Sequence, residues 1–275
     1  MSLAQSLLEL AELTAREAGQ LLVEGQRTTV EVAETKTSPT DVVTATDIAS
    51  EQLIRQRILD ARPGDGFVGE EGDDVASTSN SNVVWIADPI DGTVNYLYGI
   101  EQFAVSIAAE VDGEVLAGVV HNPMTDETFT AAKGAGAWLG DRRLGCSGCT
   151  DISKALVGTG YSYRADVRAV QAQEMAALLP TVRDVRRIGS AALDLCFVAF
   201  GRYDAYVERG LKPWDLAAAR LIVLEAGGRV EGIAGSPPGE RIVTAASAQL
   251  YDAFHERLVA SGFADWPLPE WPEPR

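Results

Sequence analysis

The stretch 83–96, Val-Val-Trp-Ile-Ala-Asp-Pro-Ile-Asp-Gly-Thr-Val-Asn-Tyr, constrains the chain more than any other. Its apolar start, 83–87, reads as a strand that runs into the carboxylates of Asp88 and Asp91 just before a turn signal and a helix. Strand alternation cannot aim both acids the same way. Pro89 and Gly92, however, break the strand and let both carboxylates converge on one point. Hard oxygen donors with no nearby His or Cys suit Mg²⁺ or Mn²⁺ rather than zinc, and two cations sharing one carboxylate are feasible there. Turn chemistry alone leaves an alternative open, a solvated loop with a capping aspartate.

Two further segments end in acids. Val68-Gly69-Glu70-Glu71-Gly72 is a strand followed by paired carboxylates, and Lys212-Pro213-Trp214-Asp215 puts an acid in the first turn of an Ala-rich helix. Taken singly, Glu70 and Glu71 fit a charged turn, and Asp215 fits a helix-dipole or capping contact. Around these segments the spacing of Leu7, Leu10, Ala11, Ala18 and Leu22 predicts an opening helix that stops at Gly25. Strand character follows over 28–33, then a helix over 46–60 capped by Thr44 with Asp47. Strands over 103–111 and 115–121 flank the hairpin dipeptide Asp112-Gly113. From 151 onward, strands at 156–158, 182–188, 203–208 and 242–245 alternate with helices at 167–179, from Ser190, at 215–226 and at 248–258. The shift in pattern near 140–155 marks two halves, 1–150 and 151–275, and the proline-rich tail 264–275 is expected to be extended or disordered.

Hydrophobic residues make up 46% of the chain, enough for a core without disulfides, and the net charge of −17 speaks against direct contact with nucleic acid. No apolar run approaches the ~20 residues of a membrane span, and the N-terminal stretch has no secretory pattern, so a cytoplasmic location is expected. Three cysteines fit a reducing compartment, and Cys146-Ser147-Gly148-Cys149 reads as structural for want of further ligands. Arg183, Arg186 and Arg187 read as a solvated strand edge, with a partner-subunit contact as the alternative. Asp194, inside an apolar helix, is expected to make an internal hydrogen bond.

Taken together, Gly-Glu-Glu (69–71), Trp-Ile-x-Asp-Pro-Ile-Asp-Gly-Thr-x-Asn-Tyr (85–96) and Trp-Asp-x-Ala-Ala (214–218) resemble the inositol monophosphatase family of metal-dependent phosphomonoesterases. Ser38-Pro39 and Thr44-Ala45-Thr46-Asp47 belong to the same resemblance. It implies an α/β (α+β) fold, a layered αβαβα sandwich of the inositol monophosphatase/fructose-1,6-bisphosphatase type, in which the two halves of the chain are fused into one unit and two chains form a homodimer. It also implies two or three Mg²⁺ ions held by Glu70, Asp88, the carbonyl of Ile90, Asp91 and Asp215. Thr93 would orient the attacking water with Glu70, and Asp47 would support Thr93. Gly92 and Thr93 would offer N–H groups to phosphate, and Lys36 falls on the family's mobile metal-site loop. On the alcohol side the resemblance points to Asp91, Ser190, Ala191 and Glu208. Tyr161 and Tyr163, in a Gly-rich stretch, read as walls of the alcohol pocket or as caps on the core, and Lys212 as a rim residue or a contact for a second anionic group. The implied activity is lithium-sensitive hydrolysis of a small phosphorylated alcohol, inositol monophosphate first. Histidinol phosphate or other sugar and nucleotide phosphates are the alternative substrates. A noncatalytic protein-binding scaffold is the alternative of another class.

Overall fold

The computed structural model describes residues 2–27, 32–35, 42–78 and 81–265. Most of the strand expected over 28–33 lies outside these, as do Lys36, Ser38-Pro39 and nearly all of the proline-rich tail.

Helix α1 (Leu3–Gln26) buries Leu7, Ala11, Ala15, Ala18 and Leu22 along one face, the spacing of an amphipathic helix. An antiparallel pair, β1 (Val32–Thr35) and β2 (Val42–Thr44), leads into α2 (Ala45–Ala61). Thr44 and Asp47 close a reciprocal cap: the Thr44 N–H donates to Asp47 Oδ2 at 2.8 Å, and the Thr44 hydroxyl accepts from the Asp47 N–H at 3.3 Å.

Seven strands then lie side by side in chain order. They are β3 (Gly66–Gly69), β4 (Val83–Asp91), β5 (Ala104–Val111), β6 (Glu114–Asn122), β7 (Glu127–Ala132), β8 (Ala137–Leu139) and β9 (Arg142–Arg143), with the short helix α3 (Thr93–Tyr98) between β4 and β5. Only β3 and β4 run parallel. Between β5 and β6, Asp112 (φ 52°) and Gly113 (φ 82°) are both left-handed, as a two-residue hairpin turn requires.

The rest of the chain comprises β10 (Leu156–Thr159), α4 (Ala165–Leu178), β11 (Asp184–Arg186), α5 (Ala191–Phe200), β12 (Ala205–Glu208), α6 (Pro213–Glu225), β13 (Gly228–Glu231), β14 (Val243–Ser247) and α7 (Tyr251–Ala260). Its five-stranded sheet has the order β11-β10-β12-β14-β13.

Two-residue alternation assigns each strand residue to a layer. On β5, Val105, Ile107 and Ala109 join the cluster under α1 and α2, while Ala104 and Ala108 face the opposite way, toward α5 and α6. On β12, Tyr206 points to α5 and α6, and Ala205 and Val207 point outward to α4 and α7. The middle cluster draws on both sheets, and the layers run α, β, α, β, α. Gly118 lets α6 lie close against β6, since a Cβ there would sit 2.8 Å from the Ala218 carbonyl oxygen.

Two details differ from expectation. Strands β7, β8, β9 and β13 appear where the sequence shows little apolar alternation; on β7 the buried positions include Thr128 and Thr130 as well as Phe129 and Ala131. And β4 does not break at Pro89. The strand continues to Asp91 through a bulge, with Asp88 opposite Ser106 and Asp91 opposite Ala104, so that Pro89 and Ile90 together face Val105.

Candidate active site

The bulge in β4 is what brings two acids of one strand to the same point. Asp88 and Asp91, 1% and 7% exposed, meet Asp215 from the first turn of α6, with one carboxylate oxygen of each lying within 4.8 Å of the others. Glu70 arrives from the neighbouring strand. The parallel pairing of β3 and β4 sets Gly69 beside Ala87, so the next residues along, Glu70 and Asp88, line the same cleft.

Each of the three aspartates is anchored by its own main-chain donors. Asp88 Oδ1 accepts from the Ile90 N–H at 2.9 Å, and Asp215 Oδ2 from the Lys212 N–H at 2.7 Å. Asp91 caps α5: it accepts from the Ser190 hydroxyl (2.5 Å) and from the N–H groups of Ala191 (3.2 Å) and Ala192 (2.7 Å). Burial, and after it the charges of the neighbouring acids, push the Asp88 and Asp215 carboxyls well above the usual carboxylate range. Asp91 rises to about 6, burial outweighing its three hydrogen bonds. An all-oxygen cluster of mutually repelling acids fits a hard divalent cation, which would offset that repulsion.

Beside the acids, the Thr93 hydroxyl lies 3.0 Å from both Asp47 Oδ1 and the Ile90 carbonyl oxygen. Its single proton serves one of them at a time. Asp47 is fully buried, and burial raises its pKa despite bonds from Thr44 and Thr93. Gly92 precedes α3 with φ 101°, and a Cβ there would lie 3.1 Å from the carbonyl oxygens of Gln102 and Gly189. Only glycine fits that turn.

The cleft above the acids measures about 330 Å³. Its wall carries Tyr161, Tyr163, Arg187, Ala191 and Glu208. Glu208 is raised to about 7 by burial and accepts a hydrogen bond from the Tyr206 hydroxyl; Gly160 leaves room for it, since a Cβ there would come within 2.0 Å of its carboxylate. Ser190 sits behind this wall, 1% exposed, with its hydroxyl on Asp91. Lys212 pairs with Glu240, and both line the cleft.

Several expectations shift. Arg187 belongs to the cleft wall rather than to a strand edge, although Arg186 fits the edge and pairs with Asp184. Asp194 makes no internal hydrogen bond of ordinary geometry on either oxygen, although Tyr203 lies close enough to interact. Cys146, pushed up to about 11 by burial, is a poor nucleophile, and among the described residues no Cys or His joins a metal-ligating group. Arg164 and Glu240 also line the cleft and stand outside the motifs that mark the acids. Nothing in their local sequence signals it.

Relatives share this arrangement of chain. Inositol-1-monophosphatase SuhB of Mycobacterium tuberculosis is 52% identical over 202 residues, 71% of this chain and 70% of its own length. The protein named Nus factor SuhB in Pasteurella multocida is 40% identical over 225 residues, covering 82% and 84%. Among solved structures, the extragenic suppressor protein suhB of Bartonella henselae superimposes with a TM-score of 0.87 at 34% identity, covering 92% of this chain and 98% of that one. A profile of the inositol monophosphatase family matches residues 3–262, a span that includes Glu70, Asp88, Asp91 and Asp215, and the chain belongs to that family.

Proposed function

We propose that the protein hydrolyses a small phosphate monoester, inositol monophosphate in the first place, with Mg²⁺ held by Glu70, Asp88, the Ile90 carbonyl, Asp91 and Asp215. The observation that carries this is the convergence of Asp88, Asp91 and Asp215 within 4.8 Å beside Glu70, in a cleft large enough for a phosphorylated polyol. Two or three ions could share these donors, and Mn²⁺ could replace Mg²⁺. Bound there, the cation supplies positive charge that offsets the phosphate's own and acidifies water.

The chain's own residues do the rest. When the Thr93 hydroxyl donates to Asp47, its lone pair is free to accept a hydrogen bond from the attacking water and hold it in line together with Glu70. Asp47 keeps that hydroxyl aimed. The Gly92 and Thr93 N–H groups face the phosphate, and Ala191 and Glu208 meet the alcohol, Glu208 accepting from its hydroxyls; Ser190 acts by holding Asp91. Lys36 would complete the metal-site loop. Glu70, Asp88 and Asp91 come from residues 1–150 and Asp215 from 151–275, so the halves work as one unit. Within its family the protein would act as a lithium-sensitive homodimer in the cytoplasm, without contacting nucleic acid directly; no described helix is long and apolar enough to cross a membrane.

A second reading follows from the relatives named Nus factor, a noncatalytic binding scaffold. A scaffold has no need of every acid and of Thr93, and all are present. Phosphate release with Mg²⁺ from myo-inositol 1-phosphate, histidinol phosphate, fructose 1,6-bisphosphate and 3′-phosphoadenosine 5′-phosphate, with Asp88→Asn as control, decides. A dominant substrate abolished by Asp88→Asn supports hydrolysis. No release from any of them favours the scaffold.

A further inference from the structure

One acid buried next to this cleft has no part in the scheme above. Glu51, on α2, is 3% exposed, and its side chain points at the turn after β3. Glu51 Oε2 accepts from the Glu71 N–H at 2.7 Å, and Oε1 pairs with Arg55 at 3.1 Å. Arg55 is fixed in turn, its guanidinium 5.0 Å above the Phe67 ring.

The two glycines that flank Glu70 and Glu71 are shaped to this carboxylate. A Cβ at Gly69 would lie 2.4 Å from Glu51 Oε2, and one at Gly72 would lie 2.6 Å from Oε1. Neither position has the left-handed backbone that would by itself call for glycine. Both leave room for the Glu51 carboxylate, joined at Gly72 by its partner Arg55, whose Nη2 would lie 2.7 Å from such a Cβ, so the pattern Gly-Glu-Glu-Gly reads here as a cup around an ion pair from a neighbouring helix.

The same face of α2 reaches the site at two other points. Asp47 accepts from Thr93, and the Ser50 hydroxyl donates to the Pro89 carbonyl at 3.3 Å, inside the bulge of β4. Asp47, Ser50, Glu51, Ile54 and Ile58 form the buried stripe of α2, polar where it meets the cleft and apolar beyond. One helix face thus holds the three backbone segments that carry Glu70, Asp88 with Asp91, and Thr93.

We propose that Glu51 is a positioning residue for Glu70: seated between Gly69 and Gly72, its carboxylate fixes the turn that carries Glu70 into the cleft, and thereby sets the affinity for the divalent cation. This rests on the cleft being a metal site. Glu51 touches neither cation nor substrate, and acts through the Glu71 N–H.

Mn²⁺ binding to the full chain, followed by the paramagnetic resonance of the free ion well below the melting temperature, tests it. Glu51→Ala should weaken binding about tenfold to a hundredfold, the usual range for a group that orients a metal ligand. Glu51→Gln keeps the shape and an acceptor for the Glu71 N–H, and should recover most of that loss. At saturating Mg²⁺, kcat of Glu51→Ala should return toward the native value while the Mg²⁺ half-saturation stays raised. Gly69→Ala, which drives its Cβ into the carboxylate, should weaken Mn²⁺ binding as Glu51→Ala does, and add little in the Glu51→Ala background. Native-like Mn²⁺ affinity in Glu51→Ala, or strictly additive effects of the two substitutions, would overturn the proposal. If Glu51→Ala does not fold, Glu51→Asp, with its carboxylate withdrawn by one methylene, takes its place under the same criteria. A native chain that binds no Mn²⁺ would overturn the metal site itself, a result distinct from native-like binding by the variants.

Discussion

Floor and wall of the cleft differ in how firmly their side chains are held. Asp88 and Asp91 on the floor are 1% and 7% exposed, and each accepts main-chain hydrogen bonds. On the wall, Tyr163 is 40% exposed, and Arg164 and Lys212 are tied to Asp166 and Glu240 by ion pairs that solvent reaches. Buried hydrogen bonds to charged groups are strong and geometrically exacting, whereas exposed ion pairs are worth ~0–1 kcal/mol and exchange readily. The floor is therefore built to hold one geometry for chemistry. The outer wall, with Tyr163, Arg164 and Lys212, can adapt to what leaves, while Glu208 is held by Tyr206.

Substitution on the floor should be the most damaging. Asp88→Asn is expected to lower kcat/KM by about three orders of magnitude or more, about 4 kcal/mol of transition-state stabilisation, while metal-free protein melts at the same temperature or higher, since a repelling charge is gone. Phosphate-release kinetics and thermal melts would show both. Thr93→Ala should cost about a hundredfold to a thousandfold in kcat, within the span of lost proton-transfer positioning, with Mg²⁺ binding nearly unchanged. Loss of Mg²⁺ binding in that variant would mean that Thr93 belongs to the metal cradle and not to the water.

The floor also fixes a pH signature. The Asp91 carboxyl sits at about 6 in the fold, above its ordinary value of 3.8, and Asp88 and Asp215 are raised further. A raised folded pKa favours the fold only below the unfolded value, so metal-free protein should lose stability as pH rises from about 4 through 6 and beyond. Mg²⁺ should reverse this, with a rise in melting temperature that grows over the same range. Equal Mg²⁺ effects at pH 5 and pH 8 would place the cation elsewhere.

Wall substitutions should act more gently and selectively. Glu208→Gln is expected to change kcat/KM about tenfold, by different factors for different alcohols, a pattern read from the substrate panel. Behind the wall, Asp194 has only Tyr203 close to its carboxyl, with no hydrogen bond of ordinary geometry, and burial raises its pKa well above normal. Asp194→Asn should therefore be neutral or stabilising, by about 1 kcal/mol at pH 7, as denaturant unfolding would report.

The floor was legible in the sequence because its chemistry forces a local signature. Acids at a strand end, a proline within the bulge and a glycine that alone fits the following turn are all contiguous at 88–92. The alternating strands β5 and β6 and their Asp112-Gly113 turn were legible for the same reason, since period and turn chemistry are local. Strand β7 was not, because Thr128 and Thr130 are buried by neighbours distant in sequence rather than by their own hydropathy. Glu51 shows the limit most plainly. In sequence it is a helix acid like many others, and only the fold brings it between Gly69 and Gly72.

Asp91 serves two masters, the cleft and the first turn of α5. The Ser190 hydroxyl and the Ala191 and Ala192 amides use three of the roughly four acceptor sites of its carboxylate, so a cation drawn to the remaining lone pair on Oδ1 would pull charge from the same group that caps the helix. With Mg²⁺ held by Asp91, the exchange rates of those two amides with deuterated solvent would change, a gauge of occupancy readable without substrate and without turnover.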